Sequence, residues 1–147
     1  MSRIPRFQEH LKTGFTAEAA SAARCRAYAA RAERDGLPNL ARHWLALAES
    51  KDRLAIELLE ASEQVRGADA DLGNAISEER YENDALYPKM IRDVNERVAD
   101  VLLKVVSAQK EHLRRLELLR ESYNAAQGDV SMPTEVDRGT APSAPAS

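Results

Sequence analysis

Apolar side chains recur at steps of three and four residues along almost the whole of positions 1–126, and no stretch of strand length alternates with period two. A chain patterned this way buries its apolar surface by packing helix on helix, without a sheet. Four long helical patterns are predicted, divided by three turn signals. The first runs from about Pro5 to Asp35, with Leu11, Phe15, Glu18, Ala22, Cys25 and Ala29 on one line. Asp35-Gly36 ends it, and Pro38 suits the first position of the next helix. The second runs to about Gln64 and turns Leu40, Trp44, Leu47, Lys51, Leu54 and Leu58 inward. Val65–Asp71, with Gly67, is a short connection. The third spans about Leu72 to Val94, with Leu72, Ile76, Leu86 and Met90 on its apolar line, and Pro88 inside it is expected to kink it or to end its first part. A turn near Asp93–Glu96 leads into the fourth, which reaches about Ala126. Its inward residues are Val98, Leu102, Val105, Gln109, His112, Leu116, Leu119 and Tyr123. Short connections between long amphipathic helices favour antiparallel neighbours, so the expected fold is an all-α antiparallel four-helix bundle over residues 1–126.

Composition narrows the class. A chain of 147 residues is expected to form one domain with a real core. Charged residues make up 31% and the net charge is −3, which gives no reason to expect a nucleic-acid partner. No apolar run approaches the roughly 18 residues of a membrane span, and no signal-peptide apolar region is visible, so no membrane association is expected and the chain reads as cytoplasmic. Cys25 is the one cysteine, which excludes an internal disulfide and any metal site of several thiolates. From Gln127 onward the sequence is rich in Gly, Ser, Pro, Ala and Thr with no apolar period. Residues 127–147 are therefore expected to form a disordered tail, through which an unknown protein partner could dock.

Each inward line is interrupted near its middle by polar residues: Glu18, then Lys51, then Glu79 with Glu82, then Gln109 with His112. Counted from the turns near Gly36 and Asn95, these positions lie about 13–18 residues away, or roughly 20–27 Å along a helix. Antiparallel pairing sets them at similar heights. Bundles place metal and cofactor sites in such a layer, with carboxylates and Glu/His pairs projecting inward.

These residues resemble those of the rubrerythrin family of ferritin-like bundles. The family's first-helix F-A-G-E-S is matched by Phe15-Thr16-Ala17-Glu18-Ala19, and its E-x-x-E with a following Tyr-Pro by Glu79, Glu82, Tyr87 and Pro88. Its fourth-helix E-x-x-H is matched in part, by Gln109 and His112, while in the second helix Lys51 and Leu54 stand for the Glu and the His. The similarity covers about residues 7–120. It implies a ferritin-like fold, non-haem iron and peroxidase-like oxidoreductase chemistry, in a member without the family's rubredoxin-like domain. The family's two bridging glutamates are Lys51 and Gln109 here, so a full diiron centre is not expected.

Two readings of the layer remain open. In one, a single Fe, Mn or Zn ion per chain is held by Glu18, Glu79, Glu82 and His112. In the other, the Lys51 ammonium takes the place of the metal, bridging Glu79 with Glu18 or Glu82, and Gln109 hydrogen-bonds a carboxylate. Of the remaining residues, Cys25 is expected in the core, Trp44 in the core or at an interface, and His10 and His43 at the surface or its boundary. Arg24, Arg26, Arg31 and Arg34 are expected to form a solvated helix face. The alanine-rich first helix permits close approach of a second helix, and the resemblance implies a homodimer.

Overall fold

A computed structural model describes residues 6–126 and 128–131. It is all-helical among them, with no strand. The tail expected at 127–147 lies almost entirely outside the described residues, and 128–131 carry no helix. The chain divides into two compact units, Met1–Arg66 and Gly67–Ser147.

The first unit is a hairpin of α1 (Arg6–Arg34) and α2 (Pro38–Ala61). Glycine closes α1 as expected. Gly36 adopts φ 74°, its N–H donates to the Glu33 carbonyl at 3.1 Å, and the Leu37 N–H donates to Ala32 at 2.8 Å. That bond pair is the Schellman motif, which satisfies carbonyls that the helix end would leave bare. Pro38 then opens α2, where its missing N–H costs nothing.

The seam between α1 and α2 is built from small side chains. On α1, Ala22, Cys25, Ala29 and Ala32 are buried, at alternating steps of three and four. On α2 the buried residues are Ala41, Ala48 and Ala55, and the buried Ser62 that caps the helix continues them, one every seventh position. This corrects the expected inward line of α2. Leu40, Leu47 and Leu54 are 45–49% exposed, one position before each buried alanine. Facing small residues let two helices approach closely, and a leucine on that centre line would hold them apart. The leucines therefore flank the seam. Trp44 packs against Ala29, Ala32 and Ala41, and the Tyr28 ring meets it edge-on with centroids 5.0 Å apart. Cys25 is buried, while His10, His43 and the four arginines are exposed, as expected.

Helix α2 ends at Ala61, three residues before the expected end at Gln64. Its stop carries no glycine. Glu63 takes the left-handed conformation, φ 59°, and the Ser62 hydroxyl donates to the Leu59 carbonyl at 2.6 Å.

The second unit begins with α3 (Ala68–Tyr81), which runs without interruption through a π-turn (Glu82–Leu86) into α4 (Tyr87–Arg92). The expected kink or stop at Pro88 is replaced by this π-turn. Proline lacks the N–H of a regular α-helical bond, and its ring clashes with the carbonyl four residues back. Widening the preceding turn, with the Tyr87 N–H reaching back to the Glu82 carbonyl, carries the helix past it. Asp93 to Asn95 form the expected turn. The Asn95 side chain then caps α5 (Glu96–Ala125) by accepting from the Val98 N–H at 3.0 Å.

Within this unit Leu72, Ile76, Glu79 and Asn83 follow one line on α3 and the π-turn, all half-buried or buried. On α5, Ala99, Leu102, Val106, Gln109, Leu113 and Leu116 do the same at alternating steps of three and four. Leu86, Val98 and Leu119, expected inward, are exposed to 36–42%. The extra residue of the π-turn moves the buried line past Leu86 to Tyr87. On the outer side of α5 the hydrogen bond from Arg114 holds the Glu111 carboxyl below its ordinary range.

Candidate functional site

Of the polar interruptions predicted from sequence, all but His112 are half-buried within their own units. In the first unit Glu18 and Lys51 occupy the seam, and the Lys51 ammonium donates to Glu18 Oε2 at 3.2 Å. Both side chains are about 30% exposed. The pair lies where Lys51 and Glu18 each reach partly out of the seam, so its net contribution is on the order of 1 kcal/mol. Arg26 on α1 and Asp52 on α2 form a second ion pair across the same hairpin, nearer the surface. Leu54, at the family's histidine position, is exposed. With Glu18, Glu57, Leu58 and Ala61 it lines a shallow open depression of about 400 Å³. An apolar side chain there offers no ligand to a cation.

In the second unit the Gln109 amide donates to Glu82 Oε2. Glu79, half-buried one turn before Glu82, buries its Oε2 without a hydrogen-bond partner. Asn83 is 6% exposed, and neither its amide nitrogen nor its carbonyl oxygen is hydrogen-bonded. Gln109 Oε1 is likewise buried and unpaired. His112 lies one turn beyond Gln109 and is exposed. Of the four residues named as possible metal ligands, Glu18 is thus in the first unit, and Glu79, Glu82 and His112 are in the second. Among the described residues no three His, Cys, Asp or Glu side chains gather to hold a metal ion.

Asn83 is the polar residue that the sequence reading missed. Its signal is its spacing: it follows buried Ile76 by seven residues and Glu79 by four. Sequence comparison adds no relative, since no family model and no curated protein matches the chain.

The residues do not fit the pair of irons that the resemblance implies. A diiron centre needs anionic oxygen at the bridging positions, and these hold an ammonium and a carboxamide. The ammonium is committed to Glu18, and the carboxamide nitrogen to Glu82. A cation brought to about 4 Å from the Lys51 charge meets roughly 4 kcal/mol of repulsion per unit charge at a surface-like effective dielectric.

Proposed function

We propose that this chain is a diverged rubrerythrin-like, ferritin-type four-helix bundle whose iron site has given way to ion pairs and hydrogen bonds. It then serves as a structural or binding protein in place of a peroxide-reducing iron enzyme. The observation that supports this reading most is the Lys51–Glu18 ion pair. It neutralises the first-helix carboxylate at the point where the family implies a metal ligand. The alternative, one Fe, Mn or Zn ion on Glu18, Glu79, Glu82 and His112, must first displace Lys51 and turn an exposed imidazole inward.

The reading is tested by expressing the protein with iron and zinc each supplied, then measuring metal content and peroxide reduction. Wild type is expected to hold neither metal and to show no turnover. Lys51→Glu with Gln109→Glu, which restores both bridging carboxylates, is expected to gain iron. Tight stoichiometric iron in wild type, with peroxide turnover, would falsify the proposal. For the chain as a whole we propose a homodimer.

A further inference from the structure

Helix α2 carries two lines of apolar residues side by side. The alanine line faces α1. Next to it Leu40, Trp44, Leu47, Lys51, Leu54 and Leu58 recur at alternating steps of four and three, the spacing of a coiled-coil seam. Leu40, Leu47 and Leu54 keep nearly half of their surface open, as does Leu37 just before the helix, at 48% exposed. A continuous exposed apolar line marks an interaction surface. Its two ends differ in shape. Toward the C-terminal end Leu54, Leu58 and Ala61, with Glu18 and Glu57, line the depression of about 400 Å³. Toward the N-terminal end stand the exposed Leu37 and Leu40 and the half-buried Trp44. One end is a hole and the other a set of knobs.

Such a line is complementary to itself when reversed. Two copies of α2 laid antiparallel, with a twofold axis near Glu49, set Leu37 against Ala61, Leu40 against Leu58, Trp44 against Leu54 and Leu47 against Lys51. The knobs of each copy then meet the hole of the other, and the twofold makes both contacts at once. Charge agrees with shape. On the side of the line opposite the alanines, His43, Ser50 and Glu57 recur every seventh residue, all exposed. In the antiparallel alignment His43 comes to Glu57 of the second copy at both ends, and Ser50 lies beside its own copy at the axis. Among the described residues neither His43 nor Glu57 forms an ion pair within the chain. A parallel alignment sets Glu57 on Glu57 and knob on knob. Lys51 keeps Glu18 as its partner, and its methylene stem covers Leu47 of the second copy.

We propose that the leucine line of α2 is the seam of a homodimer, packed antiparallel on the same line of a second copy of this chain. The inference rests on the homodimer proposed above and assigns its face. The four helices around Lys51 are then two α1–α2 hairpins, one from each copy, so the partner completes that bundle.

The test is the dimer dissociation constant of the full chain, measured by sedimentation and light scattering. Leu47→Glu with Leu54→Glu is expected to weaken the dimer at least about tenfold while circular dichroism shows the helices retained. His43→Glu, which sets two carboxylates together, is expected to weaken it severalfold, and adding Glu57→Lys to restore it. A second measurement leaves the leucines untouched. Ser50→Cys, beside the axis, is expected to give a covalent dimer with a short bismaleimide. Ile56→Cys, on the far side of α2 at a position 53% exposed, is not, and the native Cys25, 4% exposed, serves as background in both. A monomeric wild type overturns this proposal together with the homodimer. A dimer that ignores Leu47→Glu with Leu54→Glu and does not crosslink through Ser50→Cys leaves the homodimer standing and overturns the face assigned to it. The metal-free reading is decided by neither result, since metal content tests it separately.

Discussion

Gly36 and Glu63 occupy the same place, one residue past the cap that ends a helix, and both take the left-handed backbone, at φ 74° and 59°. Only glycine adopts it without a steric penalty, which for other residues is about 1–2 kcal/mol. The two positions therefore respond in opposite senses to substitution. Nothing lies within 4 Å of a Cβ added at Gly36, so Gly36→Ala is destabilising through the backbone alone, by about 1 kcal/mol. Glu63→Gly is expected to stabilise the protein by about 0.5–1 kcal/mol. Denaturant midpoints of the two variants check both signs. The first helix end was legible because Asp35-Gly36 announces it. The second was not, because a glutamate does there what glycine usually does. Asn83 escaped for a similar reason. Attention to large apolar residues ran the line through Leu86, and an asparagine on the buried side has no signature except its spacing.

At the scale of the helix, size at the seam matters more than hydrophobicity. Ala48 is 2% exposed between α1 and α2, whereas its neighbour Leu47 is 49% exposed. Ala48→Leu forces the helices apart and is expected to cost about 1–3 kcal/mol. Leu47→Ala within the hairpin removes little packed surface and is expected to cost much less, and urea unfolding of the pair separates the two. The leucines drew the sequence reading of α2 one residue off the true line. The recurrence of Ala41, Ala48, Ala55 and Ser62 at sevens was in plain view but carries no hydropathy signal. Pro88 was recognised as a disruption, yet its outcome depends on the turn before it. A π-turn and a kink are two ways of accommodating the same missing N–H, and composition does not choose between them.

For the whole molecule, the helix content and the three turns follow from the period of the apolar residues and from Gly36, Pro38, Gly67 and Asn95. Most of the polar interruptions were also legible: Lys51 pairs with Glu18 and Gln109 with Glu82, where the metal-free reading expected Lys51 to bridge Glu79 with Glu18 or Glu82. Their ligand chemistry was less so, because hydrogen-bond satisfaction depends on atoms that spacing does not resolve. Light scattering at micromolar concentration is expected to give twice the 16.3 kDa chain mass, and a monomeric mass would count against the proposed homodimer. The seam of the first hairpin also bears on how the chain finds its alignment. Ala41, Ala48, Ala55 and Ser62 are nearly interchangeable in shape, so sliding α2 by seven residues, about 10 Å, would offer α1 almost the same surface. Steric fit alone cannot tell the native alignment from that neighbour. Glu18 can: after such a slip it would meet Trp44 or Leu58 in place of Lys51, leaving two charges stranded. An ion pair that adds little to stability thus works as an index mark, selecting one phase of an otherwise repeating rail.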